Sequence, residues 1–586
     1  MRKVLITTTA AALLAGCSGH GTSSLPPVPG SAAQMSAATR TSQSIPAGWA
    51  ATATQAISIS GASDSGPLAS SKTLTVRLGL GLHNVSQLQS LIASGTTIST
   101  AQFMGQYAPT QTDVSAVTTY LKTQGLTNVS VTSNNQLVSA DGTVAQLQAA
   151  FNTKLDDFGG GRFANVTPAL VPQSLGGIVV AVLGLNNAAR MALSPKISQC
   201  YFTGSSTPAG APCLRNYGPA EIQQYYDAGS TPTGSNTTVA VISEGNVSQA
   251  VSDLAYAETT LGTPKVPVNV VTVGLPSSDV AGLDEWELDS QSSTGIAGTV
   301  KTLYFYATTS LTDSDIANDY EHWAGDNLAK LGNSSFGECE YQAYLDGAMK
   351  VDDNAFMQAA AQGQTMFAST GDTGSACALV GTNGVPGSGL PMAAYPASSP
   401  WVVAVGGTSL TANPDGSYLG EAAWNAGGGG LSQFENSQPW MQSVQPVSPP
   451  PAELALRGIP DVAMDADPNT SPFMVYSNPA LAACGSSPCG IGGTSLSSPL
   501  AMGTFARLQT AHNNTLGFGG RAFYRIYALN PNATASSNGP PPTQTIGGYH
   551  DILTGANGAY TALPGFDYTT GMGTFDIALT SGLIGR

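Results

Sequence analysis

The segment Gly492-Gly493-Thr494-Ser495-Leu496-Ser497-Ser498-Pro499 is the most informative stretch of the chain. Its glycines allow a tight backbone turn, and the Thr-Ser pair can begin a helix. A serine at a helix N-terminus lies where the helix dipole favours developing negative charge, so Ser495 is a candidate nucleophile. The alternative is an ordinary glycine-rich helix cap. Similar letters alone are weak evidence, because Gly406-Gly407-Thr408-Ser409-Leu410 repeats them at the end of an apolar strand and lacks the later proline.

The sequence around this segment alternates between apolar strands and helical stretches. Continuous apolar runs of the kind buried on both faces of a parallel sheet lie at residues 239–242, 303–306, 366–368 and 402–405. Helical stretches near 285–296, 316–330 and 347–362 separate them. The pattern predicts an α/β fold with an open parallel sheet.

A serine nucleophile needs a general base, which is usually a histidine oriented by an aspartate. The histidines of the α/β region are His322, His512 and His550, and none has the His-Gly-Thr context of subtilisins. The subtilisin aspartate motif is also missing. Gly19-His20-Gly21-Thr22 has the right letters, but it lies in low-complexity sequence near the N-terminus, where coincidence explains it. The sequence therefore argues against a histidine-based mechanism.

Two carboxyl groups offer another base. Glu285 and Asp289 lie four residues apart, so on a helix they share one face with about 5–6 Å between Cβ atoms. Two acids this close do not readily ionise together, so one holds a proton and the pair can relay it. The alternative is a solvated acidic helix face, because such spacings are common on exposed helices.

A third motif, Ser369-Thr370-Gly371-Asp372-Thr373-Gly374, follows an apolar strand, so Asp372 is expected at the carboxyl end of that strand. In chain order, E-x-x-x-D, G-D-x-G and G-T-S-x-x-x-P together resemble the sedolisin family. The resemblance implies a subtilisin-like open parallel sheet and a serine endopeptidase that hydrolyses polypeptides in acid through an acyl-enzyme on Ser495. It implies that Glu285 and Asp289 form the base relay, and that protonated Asp372 donates to the oxyanion.

Two C-terminal segments, Asp551-Ile552 and Leu563-Pro564-Gly565-Phe566-Asp567, resemble the calcium site of the same family. The resemblance implies one structural Ca²⁺, held by the carboxylates of Asp551 and Asp567 and by the carbonyls of Ile552, Leu563 and Gly565. Such an oxygen ligand set suits this ion. The family commonly has glycine where this chain has Leu563, a change that a carbonyl ligand survives. Alternatively, the two aspartates only cap turns.

Residues 49–190 read as a separate small α+β unit. Strand-like alternation at 74–78 is followed by helical spacing at 85–92 and 114–121, by strand-like runs at 129–131 and 137–138, and by a helix at 144–151. The unit resembles the activation domain of sedolisin precursors, which implies a ferredoxin-like intramolecular inhibitor, called the prodomain below. Proline-containing residues 191–215 are expected to be the processing linker, and residues 216–586 the peptidase domain.

The N-terminus has the features of an export signal. Basic Arg2 and Lys3 precede a short apolar stretch, and Leu14-Ala15-Gly16-Cys17 fits the cleavage site of a bacterial lipoprotein. Residues 1–17 are therefore expected to be a signal peptide that leaves Cys17 lipidated, and residues 18–48 a flexible tether. The alternative is an ordinary secretory signal with a chance cysteine. We expect export from a bacterial cell, membrane contact through the lipid alone, and release if processing detaches the peptidase domain.

Six further cysteines, an even number in an oxidising compartment, predict disulfides. Sequence proximity favours Cys200 with Cys213 and Cys484 with Cys489, which leaves Cys339 for Cys377. Other connectivities remain open, because six cysteines can pair in many ways.

Composition bears on the class of partner. Charged residues make up only 10% of the chain, and 36 acidic residues outnumber 20 basic ones, so nucleic acid is not expected as a partner. With few Lys and Arg, protonation of the carboxylates in acid adds little positive repulsion, which favours tolerance of low pH. A secreted protein adapted to neutral pH is the other interpretation. We expect a monomer. The competing function is a non-catalytic surface lipoprotein with a degenerate protease fold, which the intact set of candidate catalytic residues argues against.

Overall fold

The structure is a computed structural model and describes residues 45–59, 62–193, 195–198, 217–377, 390–413, 417–445, 455–537 and 541–585. The predicted signal peptide with Cys17, most of the predicted tether, and Cys200 with Cys213 lie outside the described residues. In the described ranges, no helix has both the length and the apolar character needed to cross a membrane.

The prodomain is built on a four-stranded antiparallel sheet with the order Thr127–Val131, Leu137–Thr143, Thr73–Leu80, Val179–Leu183. Its helices are Val85–Ser94, Thr100–Gln106, Gln111–Thr123 and Val144–Ala150, with a 3-10 turn at Gln173–Leu175. Short strand pairs complete it, Trp49–Ala51 with Leu170–Pro172 and Leu155–Asp157 with Phe163–Asn165. The order strand, helices, two strands, helix, strand is that of a ferredoxin-like unit, as expected.

Alternation along the strands decides which face of this sheet forms the prodomain core. Val76, Leu78 and Leu80 follow every second position and are fully buried in one cluster with Val117 and Leu121 of the third helix. Alternate side chains of a strand point to opposite faces, so the intervening residues face the other way. The other face of the sheet is therefore available to pack on the peptidase domain.

The peptidase domain is built on a twelve-stranded sheet. Its strands follow the order Val268–Thr272, Val300–Thr308, Gly234–Glu244, Leu331–Ser334, Thr365–Ser369, Val402–Ala412, Val462–Asp465, Thr574–Phe575, Tyr549–Ile552, Thr543–Ile546, Thr534–Ser537, and Tyr418–Ala423 pairs beside Val402–Ala412. The first eight are parallel to one another, and the rest are antiparallel. All four predicted apolar runs lie in the parallel part, so the predicted α/β fold is confirmed.

Helices and small sheets cover the large sheet. The helices are Pro219–Tyr225, Ser248–Leu261, Leu283–Ala297, Asp313–Asp326, Glu340–Asp346, Ala348–Ala361, Pro439–Gln442, Thr494–Ala511, Gly519–Leu529 and Ile577–Ile584. The small strand pairs are Phe336–Cys339 with Ala394–Tyr395, Gly430–Asn436 with Leu456–Ile459, and Phe473–Val475 with Cys489–Gly492. The helix predicted near 316–330 ends earlier, because Asn327 adopts a left-handed conformation with φ 49°.

The prodomain sheet packs on two helices of the peptidase domain, Asp313–Asp326 and Ala348–Ala361. At one end of the contact Arg77 forms an ion pair with Asp315 at 2.9 Å. At the other, Asn134 Nδ2 donates to Glu321 Oε2 at 2.6 Å and to Gln358 Oε1 at 2.9 Å. These polar groups are largely buried, so they give the docking a defined register.

The segment predicted as the linker is described up to residue 198, apart from residue 194, and it contains two short strands. Ala192–Leu193 pairs with Phe336–Cys339, and Lys196–Ile197 pairs with Cys489–Gly492. Two predicted disulfides are present, Cys339–Cys377 with a Cα–Cα distance of 5.6 Å and Cys484–Cys489 with 5.8 Å.

Candidate active site

The candidate nucleophile lies at the start of a buried helix. The strand Cys489–Gly492 leads into Gly493, whose φ of 106° is strained for residues with a side chain, and the helix Thr494–Ala511 follows directly. Ser495 is only 2% exposed and is the second residue of that helix. By contrast, Ser409 of the similar segment lies within a strand and donates to Asp467 at 2.7 Å. The same letters thus produce a helix start in only one of the two places.

Pro499 explains why the motif ends in proline. In a regular helix the N–H of residue 499 would bond to the carbonyl of Ser495, four residues earlier, but proline has no N–H. The Ser495 carbonyl instead accepts a hydrogen bond from Ser335 Oγ at 3.3 Å. Pro499 therefore leaves the Ser495 carbonyl available as an acceptor for the Ser335 hydroxyl.

The helix Leu283–Ala297, called the relay helix below, carries Glu285 and Asp289. Both are fully buried, so the interpretation as a solvated acidic face is wrong for this helix. The relay helix packs closely on the nucleophile helix because Gly503 has no side chain. A Cβ on Gly503 would collide with the Ser293 carbonyl. This close packing holds the two carboxyl groups near Ser495.

Burial dominates the protonation of the two acids. The pKa of Glu285 is raised well above its usual range, first by burial and then by the neighbouring Asp289. Burial also raises the pKa of Asp289 well above its usual range, although hydrogen bonds from Ser335 and Asn333 oppose the shift. The pair therefore retains at least one proton well above the pH at which free carboxyls lose theirs.

The Ser495 hydroxyl lies between Glu285 and a backbone carbonyl. Ser495 Oγ donates to the Ser335 carbonyl at a long 3.3 Å, while in the described part of the chain neither Glu285 oxygen has a donor in good geometry. The Ser495 hydroxyl nevertheless lowers the pKa of Glu285 against the effect of burial, so the two groups are electrostatically coupled. A small rotation of the Ser495 hydroxyl would let it donate a hydrogen bond to a Glu285 oxygen.

A chain of buried polar side chains supports Asp289. Ser335 Oγ donates to Asp289 Oδ1 at 2.6 Å, and Asn333 Nδ2 donates to Ser335 Oγ at 2.9 Å. Ser498 Oγ, on the nucleophile helix, donates to Asn333 Oδ1 at 2.6 Å. The chain fixes the Asp289 carboxyl relative to the first turn of the nucleophile helix.

Asp372 contacts Thr494, the residue directly before Ser495. Its Oδ1 accepts from the backbone N–H and the hydroxyl of Thr494, both at 2.8 Å, whereas its buried Oδ2 has no hydrogen-bond partner among the residues that the structure describes. Burial raises the pKa of Asp372 to about 6, and the Thr494 donors and Lys196 oppose the shift. In acid, Oδ2 can therefore carry a proton and act as a hydrogen-bond donor.

A glycine-rich loop makes room for this arrangement. Gly428 N–H donates to the Gly371 carbonyl at 2.8 Å, and Thr370 Oγ1 donates to the Gly428 carbonyl at 2.9 Å. A Cβ on Gly428 would collide with the Thr370 carbonyl. The loop that carries Asp372 is thus held against Gly428.

Ser495 and Asp372 open onto a cleft of about 290 Å³. Its walls include Ser335, Gly337 and Glu338 on one side and residues 369–374 on the other. The disulfide residues Cys339 and Cys377 also line it. The cleft is large enough to hold a side chain of a polypeptide beside the nucleophile.

The histidines of the peptidase domain make their contacts elsewhere. His322 faces Asp326 at 3.9 Å, and His512 contacts the Ser581 carbonyl at 3.0 Å. His550 is buried and stacks on Tyr418, and burial lowers its pKa to about 4. None of the contacts of these three residues in the described part of the chain is with Ser495, whose hydroxyl donates to the Ser335 carbonyl and acts electrostatically on Glu285.

Some residues of the site carried no sequence signal. Asn333 lies within the strand Leu331–Ser334 and Ser335 directly follows it; this strand has only one strongly apolar residue and was not predicted. Their position at the end of a parallel strand could have drawn attention, because strand ends in an α/β sheet build sites. The Thr494 side chain lies within the quoted motif, yet its role as an Asp372 partner appears only in three dimensions.

The predicted calcium ligands lie close together at the C-terminal end of the large sheet. Asp551 Oδ2 accepts from Gly565 N–H at 2.9 Å, and Asp567 Oδ2 accepts from Leu563 N–H at 2.9 Å. Burial raises the pKa of Asp551 to about 6, with a contribution from Asp567, and burial raises that of Asp567. In the described part of the chain neither carboxyl has a Lys or Arg ion pair, and no three His, Cys, Asp or Glu side chains group as a metal site. Ile552 ends the strand that carries Asp551.

Comparison with known proteins agrees with this arrangement. Residues 60–188 match the family model "Pro-kumamolisin, activation domain", and residues 277–525 match "Subtilase family". The chain is 36% identical over 550 residues to sedolisin of Pseudomonas sp. (strain 101), covering 88% of each chain. It is 35% identical over 567 residues to xanthomonalisin of Xanthomonas sp. (strain T-22), covering 86% of this chain and 64% of that relative.

A solved structure is similar as well. The crystallised Pseudomonas sedolisin, a serine-carboxyl proteinase complexed with two molecules of pseudo-iodotyrostatin, has a TM-score of 0.55 and 35% identity, and the match covers 63% of this chain and 98% of that one. With the activation domain, the subtilisin-like sheet and the carboxyl groups around the helix-start serine, the chain belongs to the sedolisin family of serine-carboxyl peptidases and is a serine-type endopeptidase.

Proposed function

We propose that this chain is the precursor of an endopeptidase that acts in acid and removes its own prodomain. The observation that carries the proposal is the grouping of Glu285, Asp289 and Asp372 around Ser495. All four side chains are almost completely buried, so each carboxyl is biased towards its protonated form.

In the proposed reaction Ser495 Oγ attacks the carbonyl carbon of the scissile peptide bond. Glu285 accepts the hydroxyl proton, and Asp289 stabilises the protonated pair by sharing that proton. Asp372, protonated on Oδ2, donates to the developing oxyanion. The C–N bond then breaks as the leaving nitrogen takes the proton from Glu285. In the second half of the reaction Glu285 takes a proton from the attacking water and returns it to Ser495 Oγ as the acyl-enzyme breaks down.

The direction of the pH dependence follows from the raised pKa values. Asp372 donates only while protonated, and its pKa is about 6, so this donor is present below that pH and lost above it. The Glu285/Asp289 pair must lose one proton before Glu285 can act as a base, which limits activity on the acid side, and the raised pKa values keep the second proton in place as pH rises. Activity is therefore expected in acid and should fall as pH rises through about 6.

Buried carboxyls elsewhere favour stability in acid as well. Burial raises the pKa of Glu287 to about 10, that of Glu321 to about 8 and that of Glu340 to about 7. A group whose pKa is higher in the folded than in the unfolded state contributes stability that is fully present below the unfolded value and is lost as pH rises through the folded value. These groups thus stabilise the fold in acid and cease to do so between weakly acidic and alkaline pH.

Self-processing can be tested with the full-length precursor. Wild type and Ser495→Ala are incubated at about pH 4 and about pH 8, on either side of the Asp372 pKa. We expect wild type alone to lose its prodomain and hydrolyse a peptide substrate, and only at the acid pH. Equal processing of Ser495→Ala in a preparation free of other proteases would overturn the proposal. Glu285→Gln and Asp289→Asn should behave like Ser495→Ala.

Export and anchoring are part of the same proposal and rest on the N-terminal sequence. We expect the precursor to leave a bacterial cell with its lipid on Cys17, and the peptidase domain to act as a monomer that is freed when the linker is cut. Metabolic labelling with a fatty acid tests the anchor: label should appear on wild type and be absent from Cys17→Ala. Equal labelling of the two proteins would remove this part.

One structural Ca²⁺ at the C-terminal site is also proposed. Two buried carboxyls without a basic partner among the described residues fit a cation site, and Asp567 adds to the rise of the Asp551 pKa. Asp551 and Asp567 would hold the ion with the carbonyls of Ile552, Leu563 and Gly565. Bound calcium would join the two carboxylates and stabilise the fold by linkage. We expect a chelator to lower the thermal midpoint of wild type at pH 6–7 and to have little effect on Asp551→Asn. An unchanged wild-type midpoint with no calcium by elemental analysis would remove the site.

The competing function, a non-catalytic surface lipoprotein with a degenerate protease fold, is not favoured. All four candidate catalytic positions carry the required side chains, and the supporting Ser335 and Asn333 are present beside them. A purified precursor that neither processes itself nor cleaves peptides at any pH would restore that alternative.

A further inference from the structure

The hydroxyl group of Thr494 is placed to hold the carboxyl group of Asp372 in one orientation. Thr494 is the first residue of the nucleophile helix and is only 1% exposed. Its backbone N–H and its hydroxyl both donate to Asp372 Oδ1, at 2.8 Å each. The first N–H groups of a helix have no carbonyl partner within the helix, so Asp372 also caps this one. Thr494 thus joins the loop that carries Asp372 to the helix that carries Ser495.

The direction of these hydrogen bonds decides which oxygen of Asp372 holds a proton. A backbone N–H can only donate, so Oδ1 must accept from the N–H of Thr494. The Thr494 hydroxyl oxygen itself accepts from the Gly371 N–H at 3.1 Å, which leaves the hydroxyl hydrogen to point at Oδ1. Because a carboxyl oxygen has two lone pairs, the two donors leave Oδ1 no place for a proton of its own. A proton that Asp372 takes up therefore lies on Oδ2.

The methyl group of Thr494 keeps the hydroxyl in this direction. A Cβ built on Gly407 would come within 3.4 Å of Thr494 Cγ2, so the methyl group lies beside the bare backbone of that strand. A β-branched side chain has few χ1 rotamers, and this contact favours one of them. Serine at this position could supply the hydroxyl but not the contact that orients it.

The same hydroxyl opposes the effect of burial on Asp372. Burial raises the pKa of Asp372 to about 6, and the two Thr494 donors lower it because they stabilise the ionised carboxylate. Charged and ionisable groups on other elements also act here: Lys196 lowers the pKa of Asp372, and Asp372 raises the pKa of Glu285 on the relay helix. Without the Thr494 hydroxyl, burial meets less opposition, so Asp372 keeps its proton to a higher pH.

We propose that the Thr494 hydroxyl is a positioning group that keeps the proton of Asp372 on Oδ2 and sets the upper pH limit of proteolysis. The inference rests on the proposed role of Asp372 as oxyanion donor and adds which side chain orients that donor. The bond from Thr494 has two opposite effects. It directs the protonated Oδ2, and it also favours the ionised carboxylate, which confines the donor to acid.

The test measures kcat/KM against pH for three processed enzymes on one peptide substrate: wild type, Thr494→Val and Thr494→Ser. Valine has nearly the shape of threonine but lacks the hydroxyl. In Thr494→Val the pH at which kcat/KM falls to half should rise from about 6 to about 7, because a hydrogen bond to a charged group is lost. Its highest kcat should fall about tenfold with little change in KM, since the oxyanion donor is less well oriented. Thr494→Ser should return the pH limit to the wild-type value.

Thr504→Val is the matched control. Thr504 lies on the same helix and is fully buried, and its hydroxyl has no hydrogen-bond partner among the residues that the structure describes. The control should keep the wild-type pH profile. A role of Thr494 in folding alone would lower kcat/KM at every pH without moving the pH limit. All variants are compared in the same processed form, so any effect of Lys196 cancels. A folded Thr494→Val enzyme whose pH limit is unchanged, or lies at lower pH, would overturn the proposal.

A titration that needs no proteolysis covers the case in which Thr494→Val does not process itself. Infrared difference spectra of the full-length Ser495→Ala precursor report the protonation of carboxyl groups, and the Asp372 band is identified by its loss in Asp372→Asn. The midpoint of that band should lie at higher pH when Thr494→Val is added to Ser495→Ala. Equal midpoints in the two precursors would overturn the proposal.

These outcomes separate this inference from the proposed function. If the chain is not an acid endopeptidase, wild type and Thr494→Ser will have no activity in acid. If only the role of Thr494 is wrong, both enzymes will be active in acid and Thr494→Val will share their pH limit.

Discussion

Removal of the Ser335 hydroxyl should slow proteolysis while leaving the peptidase domain folded. Ser335 Oγ donates to Asp289 Oδ1 at 2.6 Å and to the Ser495 carbonyl at 3.3 Å, and it receives a hydrogen bond from Asn333. Ser335→Ala deletes these contacts without adding volume. Asp289 Oδ1 then lacks its short hydrogen bond from a hydroxyl in a fully buried position.

The magnitude follows from the bond that is lost. A hydrogen bond to a charged group contributes about 1.5–3 kcal/mol, and about 1.4 kcal/mol corresponds to a tenfold change in rate. If the bond acts mainly on the ionised state that catalysis uses, kcat/KM should fall by about ten- to a hundredfold. The Ser335 hydroxyl opposes the upward shift of the Asp289 pKa, so its loss should raise that pKa further. The acid limb of the pH profile of kcat/KM, where the Glu285/Asp289 pair must lose a proton, should therefore move to higher pH.

The assay measures kcat/KM of the mature enzyme on one peptide substrate across the acid range, with circular dichroism to check the fold. Ser292→Ala is a matched control, because Ser292 is equally buried on the relay helix and, among the described residues, its hydroxyl donates only to the Leu288 carbonyl at 2.7 Å. The control should keep the wild-type profile. A folded Ser335→Ala enzyme with wild-type kcat/KM and an unshifted profile would refute the described role of Ser335.

Three further predictions concern stability. Asp461→Asn should lower the free energy of unfolding of the peptidase domain by about 3–5 kcal/mol in chemical denaturation, because it leaves the buried charge of its ion-pair partner Arg457 uncompensated. A loss below about 1 kcal/mol would argue against this. Glu321→Gln should reduce the fall in the precursor's thermal midpoint between about pH 5 and about pH 8, since the raised Glu321 pKa of about 8 makes its stabilising effect disappear over that range; an unchanged fall would contradict this. Gly503→Ala should cost about 1–3 kcal/mol and reduce activity, because its Cβ meets the Ser293 carbonyl, and a fully active variant of wild-type stability would contradict the described helix packing.

Much of the fold could be predicted from local pattern. The four apolar runs were long enough to mark parallel strands, and the relay helix was marked by the spacing of Glu285 and Asp289. The strand Leu331–Ser334 was missed because Gly332, Asn333 and Ser334 are not typical of a buried strand. That strand exists because its two neighbours in the sheet pair with it on both sides.

The residues of the candidate site also fall into those that a sequence motif marks and those that no motif marks. Glu285, Asp289, Asp372 and Ser495 lie in motifs with fixed spacing, whereas Ser335 is an isolated polar residue without one. The linker strands could not be predicted either, since Ala192–Leu193 and Lys196–Ile197 are two residues each and form only against the cleft. A contact made by pairing with a distant segment leaves no periodicity in the sequence.

The central claim, that carboxyl groups replace histidine around Ser495, is tested most directly by the pH dependence of kcat/KM for the mature wild-type enzyme. The account predicts activity in acid that falls as pH rises through about 6, the pKa of Asp372, and no activity in Ser495→Ala at any pH. Activity that is absent in acid and rises through about pH 6.5, as expected for a base with the ordinary pKa of histidine, would contradict it.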